Sequence, residues 1–259
     1  MSGPSARDSS GSSPLQLIPL RGIPAVRPGD DLARLIREAA QRAGVRLEGG
    51  VLLVCQKVVS KAEGRLVDLA SVEPSERARR IAAEDDKDAR HIEVVLRESA
   101  RIVRRGHGVL ICETRHGFVC ANAGVDLSNS TAPDVAVLLP EDPDASAARL
   151  RDALEEDPSQ RLAVVITDTF GRPWREGLVD QAIGCAGIAP IADLRGRSDL
   201  DGRELQVTTT ATADQLAAAA GLLMVKDAGV PAVWVEGYPP EGEGRLVDSL
   251  RDPDTDLFR

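Results

Sequence analysis

Two short segments of the chain carry the oxygen-bearing side chains that divalent cations prefer. Asp126 and Asn129 lie three residues apart, and Asp168 and Thr169 follow the apolar run 162–166. Side chains at the ends of buried strands commonly form the sites of α/β proteins. A polar loop without a function would contain the same residue types, so either segment alone leaves both interpretations open. If the two segments meet in the fold, they form a candidate metal site.

Basic residues occur on other segments of the chain. Lys57 and Lys61 follow the apolar run 51–55, while Arg172 and Lys226 lie in two further predicted loops. These side chains could oppose a phosphate as positive charges, and a solvated loop is the alternative interpretation of the same pattern. A bound polyphosphate needs carboxylates to hold its cation and Lys or Arg to neutralise the remaining charge. The set indicates a metal–phosphate site, although no Walker loop and no GxGxxG motif is present.

The elements that must position these residues alternate between apolar runs and helical patterns, which predicts an α/β fold of mixed type. Gly117 lies between two of the runs and predicts a hairpin. We expect Asp30 to cap the first helix and residues 212–215 to form a capping box. The predicted strands are 15–18, 50–55, 109–112, 118–120, 135–139, 162–166 and 232–235, with a buried strand or strand pair over 178–191 and a further β-type run at 206–211. The predicted helices start at 32, 75, 88, 147 and 212, and the third and last extend to about 103 and 225.

Composition excludes several classes of protein. The chain has 259 residues with 42% hydrophobic and 28% charged side chains, as in a globular protein. A net charge of −9 and only 2% aromatic residues argue against nucleic-acid binding. The four cysteines have no CxxC spacing, which predicts reduced thiols and a cytoplasmic protein. No apolar run reaches the ~18 residues of a membrane helix, and residues 1–14 read as a disordered tail rather than a signal peptide.

Five segments in order resemble one known family. They are GIP at 22–24, PGDD at 28–31, VVSKAEGR at 58–65, ANAGVDLSN at 121–129 and ITDTFGR at 166–172. Together they resemble the coenzyme F420-0:L-glutamate ligases, also called F420 gamma-glutamyl ligases, where F420 names a deazaflavin cofactor. The resemblance runs from about residue 15 to 238. It predicts a ligase domain over 15–250, which leaves a division into two subdomains open, and a C-terminal tail over 251–259.

The resemblance implies a GTP-dependent enzyme of coenzyme F420 biosynthesis. Members of the family add L-glutamate to the lactyl-phosphate tail of F420-0, and then γ-linked glutamates to F420-1, through an acyl phosphate. They need Mg²⁺ or Mn²⁺, with K⁺ in some members, and work as homodimers with an unusual α/β fold of mixed sheets. The implied partners are therefore F420-0, L-glutamate, GTP and a second copy of the chain, with neither nucleic acid nor membrane.

Carried over position by position, the resemblance also assigns site residues. Asp126 and Asp168 match the metal-binding aspartates, and Thr169 matches a contact to a second metal. Lys226 departs from the pattern, because some relatives have a side-chain oxygen ligand there and a protonated lysine cannot coordinate a cation. The resemblance assigns no catalytic base. The positions that match the GTP-binding residues are Ile23, Pro24, Ala25, Val26, Gln56, Lys57, Lys61, Asn129, Met224, Val225, Lys226, Asp227, Ala228, Gly229, Val230 and Pro231.

Two other functions fit the same residues. A metal-dependent nucleotide phosphohydrolase would use the same site with water as the acceptor. A dimeric scaffold without enzymatic activity would use the polar segments only as turns. The first predicts phosphate release in the absence of glutamate and F420-0, and the second predicts no stabilisation by GTP and Mn²⁺.

Overall fold

The computed structural model describes residues 14–128, 134–157, 159 and 161–256, which form a mixed α/β fold. The strands are β1 (Gln16–Pro19), β2 (Val51–Cys55), β3 (Leu66–Asp68), β4 (Ser99–Gly106), β5 (Val109–Thr114), β6 (Val119–Ala121), β7 (Val135–Val137), β8 (Ala163–Arg172), β9 (Arg175–Ala186), β10 (Ile191–Asp193), β11 (Thr209–Ala211) and β12 (Ala232–Glu236). The helices are α1 (Leu32–Arg42), α2 (Gln56–Ala62), α3 (Glu76–Asp85), α4 (Ala89–Glu98), α5 (Pro143–Leu154) and α6 (Thr212–Gly221).

The larger layer is a five-stranded sheet in the order β1-β12-β2-β8-β9. Its centre is the parallel pair β2 and β8, in which Val51 pairs with Ala163 and Cys55 with Thr167. The apolar runs of both strands are fully buried, as expected for strands covered on both faces. Because parallel strands end at the same edge of a sheet, the residues that follow Cys55 and Thr167 emerge side by side.

The smaller layer contains the sheet β4-β5-β6 and the helices α3 and α4, which enclose a second buried cluster. The predicted hairpin is confirmed as β5 and β6, with Cys112 opposite Cys120. Asp126 leaves this layer through a pair of backbone hydrogen bonds with Val137 of β7. All four cysteines are free thiols, and three of them are buried.

Several boundaries differ from the sequence-based expectations, among them the start of α5 at Pro143 instead of residue 147 and the end of β8 at Arg172 instead of residue 166. The charged segment after β2 forms the short helix α2 instead of a loop. The helix predicted over 88–103 ends at Glu98, and the chain continues as β4, because pairing with β5 outweighs helix propensity there. The N-cap of α1 is Asp31, which accepts the Arg34 amide at 2.9 Å, whereas Asp30 accepts the Arg27 amide.

The cap at the start of α6 and the residue at its end also differ from the sequence-based prediction. No capping box forms, because Ala211 is the N-cap and makes no side-chain hydrogen bond. Asp214 instead accepts the backbone amide of Ala182 on β9 at 2.9 Å. The helix ends at Gly221, which leaves residues 222–231 as a loop. Within the described part of the chain, no helix is long and apolar enough to cross a membrane.

Gly184 on β9 provides a test of the packing between the large sheet and α5. A Cβ atom at this position would lie 2.4 Å from the carbonyl carbon and oxygen of Pro143. We expect Gly184→Ala to lower the free energy of unfolding by about 1–3 kcal/mol, because overpacking displaces the backbone. Urea denaturation measures this, with Gly106→Ala as the control, since Gly106 has no atom within 4 Å of a built Cβ. Equal stability of the two variants would contradict this packing.

Candidate active site

An open cleft lies where the pairing between β2 and β8 ends, and it brings together most of the predicted site residues. Five segments that are distant in the sequence meet there. The described residues that line the cleft are Ile23, Pro24, Ala25, Cys55, Lys57, Val58, Lys61, Asp126, Asp168, Thr169, Met224, Val225, Lys226, Gly229, Val230 and Pro231. The spatial condition set by the sequence, that loops from both halves of the chain converge, is therefore met.

Local structure explains this convergence. The amide of Cys55 donates to the Pro231 carbonyl at 2.9 Å, so the end of β2 holds the loop that precedes β12. Lys57 and Lys61 lie four residues apart on α2 and therefore project from the same side of the helix. Asp168 lies on β8 beside them, one residue after the last pair with β2.

The lysines of this protein are concentrated in the cleft. The chain has four, Lys57, Lys61, Lys87 and Lys226, and all except Lys87 line it. Burial lowers the pKa of Lys61, and the positive charge of Lys57 lowers it further. An anion between these side chains would relieve the repulsion, so the arrangement suits a phosphate group.

Lys57 also forms an ion pair with Asp126 at the floor of the cleft. Its Nζ lies 2.5 Å from Oδ2 of Asp126 and 2.9 Å from Oγ of Ser128. The Ser128 amide donates to Oδ1 of Asp126 at 2.7 Å. Burial acts to raise the pKa of Asp126, but the hydrogen bonds from Lys57 and Ser128 outweigh it and hold the pKa below its ordinary value. Asp126 is therefore ionised at neutral pH.

At Asp168, in contrast to Asp126, the effect of burial on the pKa outweighs that of the hydrogen bonds and nearby positive charge. Burial raises the pKa of its carboxyl group to about 7, against the hydrogen bond from the Thr169 amide and the charge of Lys57. The negative charges of Asp126 and Asp180 contribute in the same direction as burial. Asp168 therefore holds its proton about half of the time at pH 7 without a cation, and a nearby cation would favour the ionised form.

Asp180 is a residue of this site that the sequence analysis missed. It pairs with Thr169 across β8 and β9, and its Oδ1 accepts the Thr169 hydroxyl at 2.6 Å. Burial raises the pKa of Asp180. A Cβ on Gly221 would lie 2.8 Å from Oδ2 of Asp180, so the glycine at the end of α6 leaves room for the carboxylate. A hairpin turn at 173–174 alone would place Leu178 opposite Thr169, and the register shift between Phe170 and Arg172 brings Asp180 there instead.

Several predicted nucleotide-binding residues do not line the cleft. Val26 is buried in the large core. Gln56 is fully buried, where its Oε1 accepts the Ser60 hydroxyl and its Nε2 has no partner among the described residues. Asp227 and Ala228 belong to the loop over 222–231 without being part of the lining. Asn129 lies outside the described residues.

The donor set fits a hard cation that arrives with additional oxygen ligands. Asp126, Asp168 and Thr169 offer only oxygen atoms, as Mg²⁺ and Mn²⁺ prefer. Nowhere in the described ranges do three or more His, Cys, Asp or Glu side chains form a group that could hold a metal by themselves. Proteins usually hold Mg²⁺ with one or two carboxylates together with oxygen atoms from substrate phosphates.

The raised pKa of Asp168 predicts a pH dependence of cation binding. Only the ionised carboxylate binds a cation, so the proton competes below pH 7, and affinity increases as the pH rises. Between pH 8 and pH 6 we expect the Kd for Mn²⁺ to increase about tenfold, since most of Asp168 is protonated at the lower value. Calorimetric titration with Mn²⁺ alone measures this.

Two variants control this experiment. Asp168→Asn should abolish the pH dependence together with tight binding. Asp193→Asn should retain both, because the pKa of Asp193 is only about 2 owing to its hydrogen bonds with Arg195. A wild-type affinity that is the same at pH 6 and pH 8 would refute the role of Asp168.

Comparisons with known proteins show the family to which the chain belongs. A family model described as F420-0:Gamma-glutamyl ligase matches residues 22–237. A Methanothermobacter thermautotrophicus protein named coenzyme F420:L-glutamate ligase is 46% identical over 250 residues, 95% of this chain and 99% of that protein. Proteins of the same name from Methanopyrus kandleri and Archaeoglobus fulgidus are 49% and 43% identical, covering 90% and 95% of this chain and 93% and 96% of their own lengths. The chain belongs to the F420-0:gamma-glutamyl ligase family, as its five segments predicted.

Proposed function

We propose that this protein is a GTP-dependent ligase that joins L-glutamate to coenzyme F420-0 in F420 biosynthesis. The observation that carries the proposal is the cleft in which Lys57, Lys61 and Lys226 face the carboxylates of Asp126 and Asp168. A triphosphate is the common small molecule that needs both many positive charges and carboxylate-held cations. The names of the relatives supply the acceptor and the amino acid.

The chemistry follows from the poor reactivity of a carboxylate toward an amine. The carboxylate of F420-0 attacks the γ-phosphorus of GTP, the bond to GDP breaks, and an acyl phosphate forms. Two anions must approach each other in this step, and the lysines of the cleft offset their charge. The α-amine of glutamate then attacks the acyl carbon, loses a proton and releases inorganic phosphate. Later additions to F420-1 repeat the step at a γ-carboxylate.

In this proposal the two carboxylates form the cation-binding site. Asp126 and Asp168 would hold Mg²⁺ or Mn²⁺, and the Thr169 hydroxyl, supported by Asp180, would serve a second cation, with K⁺ as a further candidate. Bound there, the cations supply positive charge at the phosphate oxygens. The position of Lys226 in the cleft lining suits a contact to phosphate rather than to metal.

A homodimer in the cytoplasm is part of the proposal. The β8–β9 hairpin carries two large apolar side chains near its tip, Trp174 at 81% and Leu178 at 61% exposure. Exposed apolar groups close together commonly mark a protein interface. Light scattering should give the mass of two chains, and the charged variant Trp174→Glu should reduce it toward one.

To test the function, the protein is incubated with F420-0, GTP, L-glutamate and Mn²⁺, and the masses of the products are measured by mass spectrometry. We expect one GDP and one phosphate for each glutamate added to F420-0, and no turnover when any component is omitted. Phosphate release without F420-0 and glutamate would identify a phosphohydrolase instead. A melting temperature unchanged by GTP and Mn²⁺ would favour a scaffold without enzymatic activity.

A further inference from the structure

A second cleft meets the first at the same three residues. Asp126, Asp168 and Thr169 line both. From there the second cleft extends between the turn Asn122–Gly124 and the part of the β8–β9 hairpin near its tip. Among the described residues that line it, none is a lysine or arginine, whereas the first cleft has three lysines. The second cleft is therefore poorly suited to a polyphosphate.

The turn that forms one wall of the second cleft has an uncommon backbone. Asn122, Ala123 and Gly124 have φ angles of 52°, 53° and 73° in succession, and this left-handed conformation is costly for residues other than glycine. The Val125 amide donates to the Asn122 carbonyl at 2.9 Å and closes the turn. The backbone pair between Asp126 and Val137 follows directly and places Asp126 at the junction of the clefts.

The opposite wall is formed by β8 and β9. Phe170 is buried, Gly171 has no side chain, and Leu178 is 61% exposed. The cleft thus combines mostly apolar walls with a carboxylate-lined end, where a bound cation would reverse the local charge. A carboxylate that reaches this end would meet the positive charge of such a cation.

We infer that the second cleft takes the carboxylate end of the acceptor, which approaches the terminal phosphate from the side opposite the nucleotide. The inference rests on the proposed function. In phosphoryl transfer the attacking and leaving oxygens lie roughly in line on opposite sides of phosphorus. With the triphosphate among the lysines and its terminal phosphate at Asp126 and Asp168, the acceptor must arrive from beyond these residues.

The step balances without a further reactant. An acceptor carboxylate oxygen forms a bond to phosphorus, and the phosphorus–oxygen bond to the nucleoside diphosphate breaks with its electron pair leaving on the diphosphate. The resulting acyl phosphate lies at the junction of the clefts. The amine then displaces phosphate from the acyl carbon and gives up one proton.

Gly171 allows the second cleft to be filled without disturbing the fold. Its φ lies outside the left-handed region, and a built Cβ would meet only Leu178 Cδ2, at 4.0 Å. We expect Gly171→Leu to raise the Kd for F420-0 at least about tenfold, measured by calorimetry with Mn²⁺ and a non-hydrolysable GTP analogue. The Kd of the analogue should remain within about twofold of wild type, since its cleft is unchanged.

Two further variants complete the test. Gly106→Leu is the matched control, because Gly106 is exposed and has open space around a built Cβ. Leu178→Asp adds a negative charge beside the acceptor at an exposed position and should weaken F420-0 binding in the same way. Unchanged F420-0 affinity in both cleft variants would overturn the inference, and so would an equal loss of nucleotide affinity. Absence of ligation by a wild-type protein that binds F420-0 would instead reject the proposed function.

Discussion

Asp168→Asn is expected to abolish glutamate ligation while leaving the protein folded. Asparagine has the shape of the protonated carboxyl group, which Asp168 already adopts about half of the time at pH 7 because burial raises its pKa to about 7. The amide cannot ionise and binds a hard cation weakly. We expect turnover to decrease by about a thousandfold or more, as when a preorganised charge is removed from an active site.

The melting temperature of Asp168→Asn distinguishes a loss of catalytic activity from a loss of folding. A carboxyl group whose pKa is higher in the folded than in the unfolded protein destabilises the folded state as the pH rises from its unfolded pKa, about 3.8, to its folded pKa, about 7. Above pH 7, metal-free Asp168→Asn should therefore melt at the same temperature as wild type or higher. Mass spectrometry with excess Mn²⁺ measures ligation, and near-normal turnover would refute the role of Asp168.

Asp126→Asn should also abolish ligation, with a different effect on stability. Asp126 is ionised and paired with Lys57, so its replacement leaves a half-buried ammonium group without its carboxylate. We expect this variant to lose stability by about 1–3 kcal/mol at neutral pH. Retention of ligation in Asp126→Asn would contradict the assignment of Asp126 to the cation.

Lys61→Met is expected to weaken GTP binding more than it affects any other property. Lys61 is half-buried on α2, and burial together with the charge of Lys57 lowers its pKa. A phosphate would restore a favourable environment for the ammonium group, and loss of one such charged contact costs about 1.5–3 kcal/mol. The Kd for GTP, measured by calorimetry, should therefore rise about tenfold to a hundredfold.

Matched variants make this measurement specific. Lys61→Arg keeps the charge and should recover part of the affinity, but its planar group differs from a compact ammonium. Lys87→Met removes the lysine that does not line the cleft and should leave the affinity at the wild-type value. If Lys61→Met and Lys87→Met bind GTP equally well, Lys61 does not contact the nucleotide.

Two central strands of the large sheet could be predicted from the sequence. The apolar runs before Lys57 and Asp168 are long, continuous and rich in valine, which is typical of strands buried on both faces. The sequence left open whether their polar ends meet, and the parallel pairing of β2 with β8 brings these ends to one edge of the sheet. The family resemblance added the loop over 222–231, which has no pattern of its own.

Contacts between distant segments could not be predicted in this way. Asp126 reaches the cleft through a left-handed turn and a bridge to Val137, and no local pattern indicates either. Asp180 meets Thr169 only through the register of β8 and β9. The helix α2 was missed because it has seven residues and its N-cap, Cys55, makes no side-chain hydrogen bond.

The ion pair between Lys57 and Asp126 has a consequence for the order of ligand binding. While Nζ of Lys57 stays 2.5 Å from Asp126, the carboxylate is occupied by an internal cation. Lys57 can release Asp126 at low cost only when phosphate offers the ammonium group a new partner. Nucleotide and metal should therefore bind with positive cooperativity, and by thermodynamic reciprocity each raises the affinity for the other by the same factor.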